Sequence, residues 1–426
     1  MQTSLLCWLY SAVEFLWNKR LYTDNQQDDL QHKIHAMRNG GQGEARQFAC
    51  NALLDFAAEL NVNQFIRVKH AHLVGSYWSG AANIQLLNQL VASKAEFSIP
   101  TTLNASSACL NRYGPSDIEE QNRANATVEQ LAAMGADATL TCAPYHLPIG
   151  LAAGDNVAWA ESNAVVYANS VMGLRTNKTP QYLDMMAALC GFMPKYGFYT
   201  DRGRQPTLLI DCQDTHEWDD FDYQIFGLWL GAMAKSGTPL ITSRLNPTND
   251  QLRAVGANAS ASGNVSLFYW SQQLSKYSEL DYPTPLVNRV YSQQQRQALL
   301  KQYRWQGEPV EQIRIGTPHA SIDELKQLLV FFQHGGKPSQ KPFFVSTSRY
   351  NQSTFHDQCG VDALSQYNIH IIVDTCTYYQ GPLPVPSKNA LVLTTSGKWA
   401  LYARANLNIT AKIASLAECV AVAVGE

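Results

Sequence analysis

Cys142 stands in the run Thr139-Leu-Thr-Cys-Ala-Pro-Tyr145, two residues before a proline that ends regular structure. Glu161, Ser162 and Asn163 follow: a carboxylate, a hydroxyl and an amide. They head a run from Ala164 to Met172 whose small and apolar residues suit a buried helix. Ser162 or Asn163 as the helix cap would leave backbone N–H groups and a positive dipole end directed at an anion. The same pattern also suits an ordinary helix start beside a buried cysteine. A second set of polar side chains lies in the last third of the chain. Thr317 and His319 occur in Gly316-Thr-Pro-His-Ala-Ser321, Ser348 and Arg349 in Ser346-Thr-Ser-Arg349, Cys376 in Asp374-Thr-Cys376, and Ser396 and Lys398 in Thr394-Thr-Ser-Gly-Lys398.

The elements around these runs determine whether they can meet. Ile313 to Ile315, Phe343 to Val345, Ile369 to Val373 and Leu391 to Leu393 read as short strands, each ending in one of the polar runs. Ser321 with Glu324 forms a capping box for a helix whose apolar face is Leu325, Leu328, Leu329 and Phe332. Strands separated by helices predict a parallel sheet, whose ligands gather beyond the carboxyl ends of the strands. That places Thr317, Arg349, Cys376 and Ser396 in one cleft. Earlier in the chain, Phe65 to Val68 reads as a strand, with His70 and His72 in the loop after it; a lone histidine such as His72 also suits a satisfied core position. Phe97 to Pro100 reads as a strand opening onto the polar loop Thr101-Thr-Leu-Asn104. The glycine-rich turn Gly40-Gly-Gln-Gly43 leads into a helix with Phe48, Ala52, Phe56 and Leu60 on one face and Ala49, Leu53 and Ala57 beside them. It lacks the Lys and Ser/Thr of a phosphate-binding loop. Thr207 to Ile210, Pro239 to Thr242 and Ser266 to Trp270 read as further strands, and Tyr282 to Val287 as a linker.

At 426 residues and 46% hydrophobic, the chain can bury two or three domain cores. The divisions read as an N-terminal extension at 1–20 and α/β domains at 21–205, 206–305 and 306–426. A net charge of −3 gives no basic footprint for nucleic acid. Nine scattered cysteines argue against a secreted disulfide framework and for a reducing compartment, so a cytoplasmic protein is expected. Leu5 to Trp17 is apolar but interrupted by Glu14, and it is too short to span a bilayer. It reads poorly as a signal peptide and better as an extra helix or start-site extension, with attachment to a membrane surface as the alternative. Glu217, Asp219, Asp220 and Asp222 suit either a solvated loop or a cation site.

The order and wording of the motifs resemble the aconitase X family from about Leu21 onward. The matching runs are His72-Leu-Val-Gly75, Pro100-Thr-Thr-Leu-Asn104, Thr141-Cys-Ala-Pro-Tyr145, Ala158 to Thr176, and the four C-terminal motifs given above. The resemblance implies an α/β, aconitase-like multidomain fold: three-layer, with parallel or mixed sheets and helices on both faces. It also implies a hydro-lyase with an iron or iron–sulfur centre, dehydrating cis-3-hydroxy-L-proline or phosphomevalonate. Carried over to this chain, Cys142 and Cys376 would anchor iron with Thr317 beside them. His72, Glu161, Ser162 and His319 would move protons or orient ligands. Asn104, Asn163, Ser348, Arg349, Ser396 and Lys398 would hold substrate, with Arg349 and Lys398 on its carboxylate. Thr317 stands where phosphomevalonate-type members carry cysteine, so a three-cysteine cluster would need a third thiol from elsewhere. Thr395 replaces a usual Asn, and Gly197-Phe-Tyr199 replaces a usual Gly-Leu-His. The family's small swivelling domain, with its serine base, has no counterpart in the sequence and is expected on a separate small subunit.

Overall fold

The computed structural model describes residues 28–74, 80–107, 118–212, 217–276, 286–378, 383–384, 386–387 and 389–426. The expected N-terminal extension, Gly75 of the His-Leu-Val-Gly run and most of the expected 282–287 linker lie outside them.

The first part of the chain contains α1 (28–38), α2 (Glu44–Glu59), β1 (Phe65–Arg67), β2 (Ala71–Leu73), α3 (Ala81–Ala92) and β3 (Thr101–Leu103). It continues through α4 (Ile118–Ala133), β4 (Ala158–Trp159), α5 (Ser162–Ser170), α6 (Gln181–Cys190) and β5 (Phe192–Pro194). Its three-stranded sheet, ordered β3-β2-β4, is parallel, while β1 and β5 form an antiparallel pair. Two expectations shift here. His72 lies within β2 rather than in a loop, and Thr101 to Leu103 is itself a strand. Every residue of both strands is buried, so they carry no polar–apolar alternation to read. In α2 the buried face is Ala45, Ala49, Cys50, Leu53 and Ala57, whereas Phe48 and Leu60 are exposed. The buried row lets α2 pack closely on α6, while Phe48 and Leu60 at the ends of the other row face outward and Phe56 packs edge-on against Tyr196.

The middle part comprises β6 (Leu208–Cys212), α7 (Asp220–Ala234), β7 (Pro239–Thr242), α8 (Asn249–Gly263), β8 (Tyr269–Trp270), β9 (Val287–Tyr291) and α9 (Gln293–Tyr303). Its parallel sheet runs β8-β7-β6-β9. The acidic cluster resolves into helix chemistry. Asp219 caps α7 by accepting from Asp222 N, and Asp222 binds Arg296 through both oxygens.

The last part holds β10 (Gln312–Ala320), α10 (Ile322–Gly335), β11 (Phe343–Thr347), α11 (Arg349–Cys359), β12 (Ile369–Ile372), β13 (Leu391–Thr394), α12 (Gly397–Tyr402), β14 (Thr410–Ile413) and α13 (Leu416–Val424). Its five strands are all parallel, in the order β12-β11-β10-β13-β14. The expected capping box at Ser321 and Glu324 starts α10, and Leu325, Leu328, Leu329 and Phe332 are its buried face. The central strand is longer than the sequence suggests, because the Gly-Thr-Pro-His-Ala run continues β10 with a shifted register between Ile315 and Ala320. Gly316 permits that shift. Its φ is 85°, and a Cβ there would come within 2.1 Å of the Ser346 carbonyl oxygen. Among the described residues, no helix is long and apolar enough to cross a membrane.

Asp184 on α6 is buried, with Thr179 Oγ1 donating to it at 2.6 Å. Burial raises its pKa to about 8, against 3.8 for an ordinary aspartate. Between those values the unfolded chain releases the proton while the folded chain keeps it. Stability is therefore fully present below pH 3.8 and falls as pH rises toward about 8. Asp184→Asn removes that loss. Urea unfolding should show the variant gaining on the wild type by about 1.4 kcal/mol per pH unit across this window. A difference independent of pH would mean that Asp184 is ionised in the folded protein.

Candidate metal centre and active site

Cys142, His319 and Cys376 come from distant parts of the chain, yet their ligand atoms all lie within 4.8 Å of one another and all three are buried. Each is delivered by a different device. Cys142 follows Thr141, whose N–H is held by the Leu103 carbonyl at the end of β3. Cys376 follows Asp374, a non-glycine residue at φ 69°. Asp374 is buried, and Arg349 grips it with Nε and Nη2 at 2.5 and 2.7 Å. His319 sits at the shifted end of β10. Its N–H donates to Cys142 Sγ at 3.2 Å, Nε2 donates to the Thr375 carbonyl at 2.9 Å, and Nδ1 faces Thr141 Oγ1 at 3.1 Å. Thr141 Oγ1 also accepts from Ala143 N, which leaves its proton for Nδ1. Burial pulls the His319 pKa down to about 4, so the ring is neutral at physiological pH.

The two thiols are unequal. The hydrogen bond from Cys142, with help from Thr317 and the Tyr378 backbone, lowers the Cys376 pKa below the usual thiol value. The same bond, followed by burial, keeps the proton on Cys142. Thr317 Oγ1 lies 3.0 Å from Cys376 Sγ. Two buried thiols, one already inclined to ionise, and a neutral imidazole are donors suited to iron or another thiol-binding metal. Both ring nitrogens of His319 are engaged, so of the three groups the two thiols are the better placed to hold a metal.

A charged cluster adjoins this centre. Lys398 Nζ donates to Glu161 Oε1 at 2.5 Å. Asn163 Nδ2 lies 3.1 Å from the same oxygen and 3.1 Å from the Cys142 carbonyl, and Asn104 Nδ2 lies 3.5 Å from Glu161 Oε2. Ser162 Oγ donates to Glu161 Oε1 at 3.3 Å. Burial pushes the Glu161 carboxyl up, but the Lys398 charge and the bonds from Lys398 and Asn163 outweigh it and hold the pKa at about 2. The same carboxylate outweighs the burial of Lys398 and raises its pKa. The expected cap shifts by one residue. Glu161 occupies the N-cap position of α5 at φ 76°, with no side-chain capping bond, because its carboxylate points at Lys398 instead. His72 is fully buried, with Nδ1 2.8 Å from Thr102 Oγ1, and burial lowers its pKa to about 3.

The remaining expected site residues have visible structural partners. Ser348 caps α11 by accepting from Asn351 N, and Ser396 caps α12 while donating to the Thr317 carbonyl. Arg349, expected on a substrate carboxylate, is turned onto Asp374, where it fixes the loop carrying Cys376. Tyr199 is buried and donates to the Val157 carbonyl, a core position rather than a site position. Thr141, which holds the His319 ring, has no residue-level signature in the sequence. Its only signal there is that it precedes Cys142.

The three domains of aconitase X match this chain in order: the first over residues 28–202, the second over 206–289 and the third over 310–425. The chain belongs to the aconitase X family. It is 30% identical to cis-3-hydroxy-L-proline dehydratase of Hypocrea jecorina (strain QM6a), over 92% of this chain and 68% of that protein. The Pseudomonas aeruginosa protein of the same name is also 30% identical, over 92% and 69%. The phosphomevalonate dehydratase large subunit of Thermococcus kodakarensis is 28% identical, over 86% of this chain and 92% of its own length. The crystal structure of the holo form of Thermococcus kodakaraensis aconitase X superposes with a TM-score of 0.82 at 26% identity, covering 92% of this chain and 98% of that one. The α/β fold expected of the family is therefore the one observed, and the named relatives are dehydratases.

The buried Glu161–Lys398 pair makes a stability prediction. Lys398→Met leaves an uncompensated buried carboxylate and should cost about 3–5 kcal/mol in urea unfolding at neutral pH. Adding Glu161→Gln should recover more than half of that loss. Equal losses in the single and double variants would show that the two charges are not coupled.

Proposed function

We propose that this chain is the large subunit of an aconitase X-type dehydratase that removes water from a small hydroxy acid, cis-3-hydroxy-L-proline. The observation that carries this reading is the placement of Cys142, Cys376 and His319 beside the Glu161–Lys398 pair. Removing water requires a Lewis acid for the leaving hydroxyl, a base for the proton beside the carboxylate, and a cation to hold that carboxylate. Cys142 and Cys376 would hold iron or an iron–sulfur cluster, with Thr317 and His319 beside them, and iron held there would supply the Lewis acidity. Lys398 turns from Glu161 to the substrate carboxylate. Glu161 thereby loses its stabilising charge and becomes a better proton acceptor. His72, neutral and buried behind it, keeps the polar wall in register. Asn104, Asn163, Ser162, Ser348 and Ser396 orient the substrate and the loops that touch it. The α-proton passes to a serine supplied by a small subunit that carries the swivel domain. As the serine takes that proton it passes its own hydroxyl proton to Glu161; the C–O bond electrons leave with the hydroxyl, which receives this proton from Glu161 and departs as water.

Two observations favour a substrate without phosphate. Three of the cations near the site are already matched by carboxylates: Lys398 by Glu161, Arg349 by Asp374, and Arg253 by Glu324. Arg204 is buried and donates to Asn169 and to the Leu174 carbonyl, so it too is occupied. The two-subunit arrangement is supported by the 92% coverage of the Thermococcus large subunit.

The purified chain should bind iron without turning over cis-3-hydroxy-L-proline, and the cyclic imine should form once the small subunit is added. Full turnover by the chain alone would sink the two-subunit arrangement, and turnover of phosphomevalonate instead would sink the substrate. Cys376→Ser should lose iron and activity while its thermal unfolding stays close to wild type. Iron retained by the folded variant would remove Cys376 from the ligand set.

A further inference from the structure

Arg253 lies on α8, in the middle part of the chain, and no motif or spacing in the sequence singles it out. Its guanidinium is buried, and Nη1 donates to the His319 carbonyl at 3.0 Å. Nη2 lies 2.6 Å from Glu324 and 3.3 Å from Asp250. Both carboxylates turn back onto the residue that starts α10. Glu324 accepts from Ser321 N at 2.8 Å, and Asp250 accepts from Ser321 Oγ at 3.3 Å. The guanidinium therefore bridges α8 to both ends of the short turn from His319 to Ser321.

That turn delivers the imidazole, and also the N–H that reaches Cys142 Sγ at 3.2 Å. The ring nitrogens of His319 are held by Thr141 and Thr375, its N–H meets the Cys142 thiol, and its carbonyl accepts from Arg253. A guanidinium suits the task because its planar fork can hold a carbonyl and a carboxylate at once, whereas an ammonium cannot keep that geometry. Removing it would leave two carboxylates facing each other without a cation, and they would push the turn apart. Arg253 also lines a cavity of about 290 Å³, together with Asp250, Glu324, Thr317 and Ser396. A small cation could enter there from solvent.

We propose that Arg253 is a positioning residue for the metal centre, holding the His319 turn so that the imidazole and the Cys142 thiol face Cys376. The proposal rests on the metal reading given above, but one arm of its test does not need metal. In the first arm, full-length Arg253→Ala and Arg253→Lys are loaded with ferrous iron under anaerobic conditions, and affinity and the thiolate-to-iron absorption band are recorded. Removal of an outer hydrogen-bonding partner of a ligand should weaken binding about 10–100-fold and shift the band. Guanidinium chloride at concentrations well below denaturing should restore both in Arg253→Ala, and ammonium chloride should not. In the second arm, iodoacetamide alkylation of Cys142 and Cys376 is followed in the metal-free protein. Both thiols should react faster in Arg253→Ala, and guanidinium should slow them again.

Wild-type affinity, absorption band and alkylation rates in both variants would overturn the proposal. So would loss of folding in both, because Arg253 would then serve the fold rather than the site. A wild-type chain that binds no iron would sink the metal reading alone, leaving Arg253 to be judged by the alkylation rates.

Discussion

His319 is hydrogen bonded on every side, and the site exists because of those bonds. Its ring joins Thr141 to the Thr375 carbonyl, its N–H meets Cys142, and its carbonyl meets Arg253. Three segments far apart in sequence are thus tied at one buried residue. Each bond is modest, about 1 kcal/mol net, but a buried polar group left without its partner costs more than the bond itself contributes. The loops therefore hold their positions together. A neutral imidazole serves this purpose because a charged ring would have to be desolvated, and burial already holds the pKa at about 4.

The charge arrangement beside it follows a different logic. Glu161 and Lys398 form a buried pair, which seldom adds stability over apolar packing. Glu161 also adopts φ 76°, a region that residues with a Cβ avoid. Cost of this kind concentrates where chemistry needs a particular geometry. Asp374 repeats the pattern at φ 69°, gripped by Arg349 and followed by Thr375 and Cys376. Arg349 and the serines at 348 and 396 thus fix the loops that present the thiols and the lysine.

The C-terminal sheet was largely legible in the sequence. Its strands are runs of apolar residues closed by polar turns, and the capping box at Ser321 and Glu324 is a local chemical signal that needs no tertiary context. The short strands of the first part were not legible. Ala71 to Leu73 and Thr101 to Leu103 are three residues each, buried on both faces, and become strands only by pairing in one sheet with each other and with β4. The α2 face was legible only in part, because two adjacent rows at four-residue spacing were both apolar and the structure buries the Ala49, Leu53 and Ala57 row. Only packing against α6 selects the row of small residues.

Residue types and motif order by themselves determined the family, the polar loops at the strand ends and the identity of the two thiols. What they offer is a set of side chains able to bind metal, carry protons and hold a carboxylate. Only the tertiary structure decided how those side chains pair. Lys398 meets Glu161, Arg349 meets Asp374, and Arg253 reaches His319 from a helix with no motif at all. The reason is physical. A charge or thiol taken out of water is satisfied by whatever the fold brings within about 3 Å, and that neighbour is set by the crossing of sheets and helices rather than by spacing along the chain.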